Sequence, residues 1–217
     1  MLCGTNMTDI KISNRSAILR LLHEAGAMSR KQIAARLKLT PATITVIINE
    51  LMNESILVEG NSVPNAGAVG RREVMVEISR EKYVALGLAL SQGLVKFTVV
   101  NLHGEIIHEE TFKLPEILTP EYFAETIGRQ IQLKIASYGY SENFIIGIGI
   151  TVCGVVDFAN GIILDSDGIW EEKNVPIVKM FRKQFSFPVI AANNVRSYAN
   201  AYAFLQHDSQ LQNMLFI

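Results

Sequence analysis

Two stretches near the start of the chain place apolar residues at the spacing of amphipathic helices. The first runs from Ser13 to Gly26, and its apolar positions follow the i, i+3, i+4, i+7 rule: Ile18, Leu21, Leu22 and Ala25. The second begins at Ser29, because a serine followed three residues later by Gln32 is a capping-box sequence. Its short apolar face is Ile33, Ala34 and Leu37. We therefore expect two consecutive helices with a turn after Gly26.

A third helix is predicted from Thr40, since threonine is a favoured N-cap and Pro41 then takes the first helical position. Its apolar stripe repeats the same spacing: Ile44, Ile47, Ile48 and Leu51. If that stripe is buried, the other sides of the helix carry Thr43, Thr45, Val46 and Asn49. The predicted helix contains no lysine or arginine, so its exposed side carries mainly short hydrogen-bonding groups.

Two segments with period-2 alternation follow the helices and predict a β-ribbon. They cover residues 56–58 and 74–78, and the loop between them ends in Gly70-Arg71-Arg72. Three helices followed by a two-stranded ribbon are typical of a winged helix-turn-helix, which predicts a DNA-binding domain over residues 1–80. Three-helix modules also serve as protein-docking domains, and this is the alternative interpretation.

A DNA interface on this module would use two kinds of side chain. Phosphate contacts need positive charge, and we expect it from the basic residues around the third helix: Arg30, Lys31, Lys38, Arg71 and Arg72. Base edges and nearby phosphates are within reach of small polar groups: Thr40, Thr43, Thr45 and Asn49. The expected partner is a double-stranded DNA operator.

Residues 81–217 predict an α/β domain. Three strands come first, at residues 83–90, 95–100 and 105–112, and their short connections suit antiparallel neighbours. A helix follows from Thr119-Pro120, and the continuous apolar run over 144–152 predicts a parallel strand covered on both faces. The remaining elements are a hairpin turning at Asn160-Gly161, a helix over 175–185, a strand over 187–191, a helix over 194–205 and a strand over 214–217.

This order of elements favours a mixed sheet of the ribonuclease-H type, which is the half-unit of the actin-like sugar kinases. A nucleotide-binding protein of that type needs two such lobes with a cleft between them. Residues 81–217 are enough for about one. We therefore expect one ribonuclease-H-like lobe that is truncated after Ile217.

Composition and charge narrow the function classes. Of the 217 residues, 49% are apolar and 19% are charged, which excludes a disordered chain. Residues 1–80 carry a net charge of +3 and the remainder −4, a distribution that suits an N-terminal module facing a polyanion. Cys3 and Cys153 form no CxxC and no Cys/His cluster, so we expect no metal, no disulfide framework and no cofactor. The apolar run over 144–156 is too short for a membrane span, and we expect a cytoplasmic protein.

The chain as a whole resembles the N-terminal portion of transcriptional regulators of the ROK family (repressors, open reading frames and sugar kinases). In the first module, the residues that carry the resemblance are Asn14-Arg15-Ser16-Ala17-Ile18-Leu19, Leu39-Thr40-Pro41-Ala42-Thr43-Ile44-Thr45 and Gly70-Arg71. In the second, they are Gly147-Ile148-Gly149-Ile150, Cys153-Gly154-Val155-Val156-Asp157, Trp170, Val175-Pro176 and Ala192-Asn193-Asn194. The resemblance implies that Arg71 enters the minor groove from the wing.

Two departures from the family pattern argue against kinase activity. The family's sugar kinases carry an acidic, glycine-rich phosphate loop, and Ala89 stands where the acid would be. Their Glu-Asn-Asp motif supplies a general base, and here it reads Ala192-Asn193-Asn194, so an amide at Asn194 cannot accept the proton. The family's zinc motif and second lobe would lie beyond Ile217. We therefore expect no catalytic residue and no enzyme activity.

The resemblance also implies a vestigial sugar site. In the family, the residues matching Asn193 and Asn194 contact the sugar, and the loop before Trp170 helps to close the pocket. The alternative for Asn193 is purely structural, as the cap of the last predicted helix. Cys153 is expected to be a buried core thiol, and Asp157 is expected to be a turn residue.

These observations lead to one function and two alternatives. The first is a DNA-binding transcriptional regulator, a repressor of carbohydrate genes, that forms a homodimer and responds to a sugar or sugar-phosphate effector. A single recognition helix makes too few contacts for specific binding, which is why a dimer is expected. The alternatives are a shortened partner that pairs with a full-length homologue, and a sugar kinase.

Overall fold

The computed structural model describes residues 6–60, 73–115 and 119–205. The chain separates into two compact units, Met1–Lys82 and Tyr83–Ile217. Each unit has its own sheet and its own helices. The predicted segment 214–217, the wing residues Arg71 and Arg72, and Cys3 lie outside the described residues.

Three helices form most of the first unit: α1 (Met7–Ala25), α2 (Arg30–Leu37) and α3 (Pro41–Asn53). Helix α1 begins six residues earlier than the apolar pattern predicts, because the Asn6 side chain accepts the backbone N–H of Thr8 and caps the helix there. The backbone N–H of Gly26, which has a φ of 75°, caps the other end.

The predicted caps of the next two helices are confirmed. In the capping box of α2, the backbone N–H of Ser29 donates to Gln32 Oε1 at 2.8 Å, and the backbone N–H of Gln32 donates to Ser29 Oγ at 3.3 Å. Helix α3 is capped by Thr40, whose Oγ1 accepts the backbone N–H of Thr43 at 3.2 Å. Both helices therefore begin at the residue that the sequence predicts.

A three-stranded antiparallel sheet completes the first unit. Its strands are β1 (Met28–Ser29), β2 (Leu57–Glu59) and β3 (Met75–Ile78), in the order β1-β3-β2. The β2–β3 pair is the predicted ribbon, whereas β1 was not predicted. The helices and the sheet enclose a common core: Ile18, Leu22, Ile33, Ile44, Ile48, Leu51, Leu57 and Val76. The arrangement is a winged helix-turn-helix.

The second unit is built on a five-stranded mixed sheet. Its strands are β4 (Val84–Ser91), β5 (Leu94–Asn101), β6 (Ile106–Lys113), β7 (Ile145–Val152) and β10 (Val189–Asn193). Their spatial order is β10-β7-β4-β5-β6. Strands β4, β5 and β6 pair antiparallel, and β4, β7 and β10 are parallel. This is the predicted ribonuclease-H-type order.

The other elements of the second unit are a hairpin and three helices. They are β8 (Val155–Asp157), β9 (Ile162–Asp165), α4 (Pro120–Ser137), α5 (Ile177–Phe181) and α6 (Asn194–Leu205). Helix α4 begins at the predicted Thr119-Pro120 and buries one face: Phe123, Ile127, Ile131 and Ile135. These side chains share one core with Phe181 of α5 and with the buried face of the sheet. None of the described side chains of α6 is buried.

Two of the secondary-structure predictions for the second unit are wrong. The helix expected over 175–185 is limited to α5, because Val175 pairs with Ile163 of β9 and the chain turns after Phe181. Strand β7 is not covered on both faces, since its side chains alternate between buried and partly exposed and Ile146 is 51% exposed. The alternation is not visible in the sequence, because glycine does not interrupt an apolar run and Gly147 and Gly149 occupy the less covered positions.

Among the described residues, no helix combines the length and the apolar character needed to cross a bilayer. The same residues contain no group of three or more His, Cys, Asp or Glu side chains arranged to hold a metal ion.

Candidate nucleic-acid interface and sugar-site residues

The outward side of α3 carries the residues that the sequence assigns to DNA. Thr45, Val46 and Asn49 are exposed, whereas Ile44 and Ile48 on the opposite side are buried. Val46 is 58% exposed and presents an apolar surface between two polar neighbours. The predicted set of DNA contacts omits Val46, although the helical spacing placed it on this side. An exposed apolar side chain on a recognition helix can contact a thymine methyl group.

Hydrogen bonds within the helix fix the threonines at its N-terminal end. The hydroxyls of Thr40 and Thr43 lie 2.9 Å apart and share a hydrogen bond. Thr45 Oγ1 donates to the Pro41 carbonyl oxygen at 2.8 Å, one turn earlier. These three side chains are therefore held against the helix.

Arg30 extends from the start of α2 onto α3. Its Nη2 donates to Asn49 Oδ1 at 3.3 Å and contacts Met52 Sδ at 3.5 Å. Its Nε is buried and finds no acceptor among the described residues. The structure thus brings together two predicted DNA residues that are 19 positions apart, and it gives α3 a positive charge that its own sequence lacks.

The two other described basic residues of the predicted interface are exposed. Lys31 follows Arg30 in the first turn of α2, and Lys38 lies in the short turn between α2 and α3. Lys38 has a φ of 54°, a left-handed conformation that closes α2 and lets its backbone N–H donate to the Ala34 carbonyl oxygen. The structure gives no position for Arg71 or Arg72, which lie outside the described residues.

Ion pairs connect α1 to the C-terminal end of α3. Lys11 Nζ lies 2.7 Å from Glu50 Oε1, and Arg15 pairs with Glu54. The hydrogen bond with Arg15 holds the pKa of Glu54 below its ordinary value, and the pKa of Arg15 is raised in return. The sequence analysis missed these pairs. No local pattern indicates them, because they depend on how α1 packs against α3 and because Lys11 lies before the predicted start of the first helix at Ser13.

In the second unit, Asn193 and Asn194 lie where β10 passes into α6. Asn193 Nδ2 donates to the Gly154 carbonyl oxygen at 2.7 Å, and Asn193 Oδ1 accepts the backbone N–H groups of Val195 at 2.9 Å and Arg196 at 3.3 Å. Asn193 therefore caps α6 and ties it to the end of β7, which is the structural alternative stated above. Asn194 Oδ1 accepts the backbone N–H of Val195 at 2.9 Å.

Trp170 is a core residue. Its side chain is buried against the ring of Phe123, with ring centroids 5.5 Å apart. The buried hydroxyl of Ser166 bonds both the N–H and the carbonyl of Trp170 and fixes the backbone there. The indole Nε1 is buried without a partner in the described part of the chain. These contacts place the indole in the protein interior.

The β4–β5 turn, which the family resemblance aligns with the kinase phosphate loop, lies close to the segment before Trp170. Gly168 has a φ of 82°, and a side chain there would come within 2.4 Å of Gln92 Nε2 in the β4–β5 turn. The neighbouring Cys153 is exposed, so the prediction of a core thiol is wrong. Its Sγ donates to Asp167 Oδ2 at 3.3 Å, and this bond raises the pKa of the thiol. Asp157 accepts two hydrogen bonds from Asn160, as expected for a turn residue.

The folds of both units agree with comparisons to known proteins. A winged helix-turn-helix DNA-binding profile matches residues 13–58, and the ROK family profile matches residues 86–217. The chain therefore belongs to the ROK family. It is similar to a solved ROK family transcriptional regulator that is described as a homologue of the E. coli Mlc protein. The TM-score is 0.72 and the identity 25%, over 89% of this chain and 48% of that one.

The chain is also similar to curated transcriptional regulators. The chain is 28% identical to the DNA-binding transcriptional dual regulator NagC of Escherichia coli K12, over 90% of this chain and 47% of the relative. It is 26% identical to the DNA-binding transcriptional repressor Mlc of the same organism, over 91% and 48%. It is 25% identical to the xylose repressor of Caldicellulosiruptor bescii, over 89% and 48%. The chain spans about half the length of the curated relatives it matches.

Proposed function

We propose that this protein is a DNA-binding transcriptional regulator that represses genes of carbohydrate metabolism. The observation that carries the proposal is the outward side of α3, where Thr45, Val46 and Asn49 are exposed on a helix whose other side is fully buried. A rigid helix with short polar and apolar side chains fits the major groove. The names of its relatives supply the carbohydrate context.

Apart from Arg30, whose guanidinium is engaged with Asn49 and Met52, each predicted contact has a place in this proposal. Base edges face Thr43, Thr45, Val46 and Asn49 of α3, with Thr40 at its N-terminal tip. Lys31 and Lys38 neutralise phosphates beside the groove, since both are exposed. We assign Arg71 and Arg72 to the wing, with Arg71 in the minor groove, as the family resemblance implies.

Selection from a randomised duplex DNA library with the full chain tests the proposal. We expect enrichment of a two-part site, and we expect Lys31→Ala to weaken binding to it with a shallower salt dependence, because one phosphate contact is lost. Arg20→Ala is the matched control, since it removes one positive charge from an exposed position of α1 outside the proposed interface. A chain that enriches no sequence, or variants that weaken binding equally, would contradict the proposal.

We further propose that the second unit does not phosphorylate sugars. Two features support this: the amide of Asn194, which cannot act as a general base, and the Gln92 side chain, which lies against Gly168 beside the residues that would bind phosphate. The test is sugar-dependent ATP turnover with a panel of hexoses and N-acetylated hexoses. Turnover above that of a buffer blank would support the kinase alternative.

The remaining proposals concern partners. A sugar or sugar-phosphate effector would bind the second unit weakly, because the amide of Asn193 is already engaged at both ends. Calorimetry with the same sugars measures this. We also propose a homodimer that acts in the cytoplasm, since one recognition helix makes few contacts and two half-sites double them. Sedimentation in the presence and absence of the selected DNA tests the dimer, and a monomer in both cases would contradict it.

A further inference from the structure

The contact between Arg30 and Asn49 fixes which end of the Asn49 amide faces solvent. An arginine side chain has only hydrogen-bond donors, so the Asn49 atom that lies 3.3 Å from Arg30 Nη2 is the acceptor Oδ1. The oxygen and the nitrogen of a carboxamide occupy opposite branches of one planar group. Nδ2 is therefore directed away from the guanidinium, on the exposed side of α3.

The same contact limits what Arg30 can do. Recognition of guanine by arginine needs two parallel N–H donors. In Arg30, Nη2 is engaged with Asn49 and with Met52 Sδ, and Nε is buried. The guanidinium is thus turned toward its own protein, and this arrangement suits a group that acts through Asn49 better than a direct base or phosphate contact.

We propose that Arg30 is a positioning residue that sets base specificity by fixing the Asn49 carboxamide as a hydrogen-bond donor toward DNA. Asparagine that is free to turn pairs with adenine through two bonds, donating to N7 and accepting from N6. Because Oδ1 is engaged with Arg30, Asn49 presents its Nδ2 donors, so it favours a base edge with acceptors and no donor beside them, namely guanine O6 and N7 or thymine O4, over adenine, whose N7 lies beside the N6 donor. This inference rests on the proposed function and names the chemistry that its recognition helix reads.

The test compares sequences selected from a randomised duplex library by the full-length wild type, Arg30→Ala, Arg30→Lys, Asn49→Ala and Lys31→Ala. We expect Arg30→Ala to alter base preference at the single position that Asn49→Ala also alters, and to gain adenine there by about tenfold relative to guanine or thymine. Arg30→Lys keeps a donor and should restore the wild-type preference. Lys31→Ala should weaken all sequences alike.

A second measurement does not depend on DNA. The side-chain amide protons of Asn49 should shift in the NMR spectrum of Arg30→Ala and return toward wild-type values in Arg30→Lys, while thermal unfolding confirms that both variants fold. Unchanged amide signals would overturn the inference. So would an Arg30→Ala variant that keeps the wild-type base preference and loses about one unit of salt slope, because that is the behaviour of a phosphate contact. A wild-type chain that selects no sequence would overturn the proposed function itself.

Discussion

Arg15 of α1 and Glu54, the residue at the C-terminal end of α3, form a two-pronged ion pair in which Nη1 lies 3.0 Å from Oε1 and Nη2 lies 2.5 Å from Oε2. A planar guanidinium held by both carboxylate oxygens restricts rotation as well as distance. The pair therefore ties the C-terminal end of α3 to α1. The recognition helix is tied at its end as well as at its cap.

Replacement of Glu54 by Gln should lower stability at neutral pH by less than about 1 kcal/mol, because the pair is solvent exposed. The pKa of Glu54 in the folded protein lies below its ordinary value of 4.5. The contribution of the ion pair to stability is therefore fully present above about pH 4.5. It is lost as the pH falls through the folded-state pKa of Glu54. Thermal unfolding at pH 7 and pH 3 measures the difference, which should be smaller at the lower pH. Glu24→Gln, an exposed acid of α1, is the control, and an equal pH effect in both variants would refute the assignment.

Two apolar residues on opposite sides of α3 should respond differently to replacement by alanine. Ile48 is fully buried, so Ile48→Ala should cost about 2–5 kcal/mol of unfolding free energy. Val46 is 58% exposed, and Val46→Ala should leave stability nearly unchanged while reducing the preference for one thymine several-fold. Urea unfolding and DNA selection separate the two effects. Loss of stability in Val46→Ala would show that this side of α3 is covered.

Asn193→Ala should destabilise α6 by about 1–2 kcal/mol, since it removes the cap and the bond to Gly154 together. Hydrogen exchange over residues 194–205 is the measurement, and faster exchange should be confined to that helix and the end of β7. Asn194→Ala serves as the matched control, because Asn194 accepts only from its own neighbour among the described contacts. Equal exchange in the two variants would contradict the cap.

Trp170 is the single tryptophan of the chain, which makes it a direct optical probe of the second unit. Because its ring is buried against Phe123, its emission should be at short wavelength and resist quenching by acrylamide. Addition of hexoses should leave this emission unchanged. A large sugar-dependent change would show that the indole contacts a ligand, which would favour the sugar-site prediction for Trp170.

Local interactions made much of the fold predictable. The Ser29 and Thr40 caps depend on side chains within three residues of the helix start, so the sequence shows them directly. Strand β1 could not be predicted in the same way, because two residues become a strand only by pairing with Met75 and Val76, far along the chain. The same holds for α5, whose start is set by the pairing of Val175 with Ile163.

The candidate interface likewise contains residues that the local sequence pattern predicts and contacts that only the packing of the helices determines. Helical spacing placed Thr45 and Asn49 on the exposed side of α3 without any knowledge of the rest of the molecule. The contact from Arg30 to Asn49 depends on how α2 crosses α3, which no local pattern specifies. The exposure of Cys153 was missed because its environment depends on the loop that carries Asp167.

The hydrogen bond from Thr45 to the Pro41 carbonyl determines which kind of hydrogen-bonding group α3 exposes at that position. A hydroxyl has one hydrogen, and this one is already donated, so Thr45 can offer DNA only its lone pairs. The donors in the major groove are the amino groups of adenine and cytosine. One helical turn later the Asn49 amide offers a donor, so an acceptor precedes a donor along the helix. In the proposed interface, a half-site inserted in reverse would set donor against donor at Asn49 and acceptor against acceptor at Thr45, so α3 would distinguish the two orientations of the same bases.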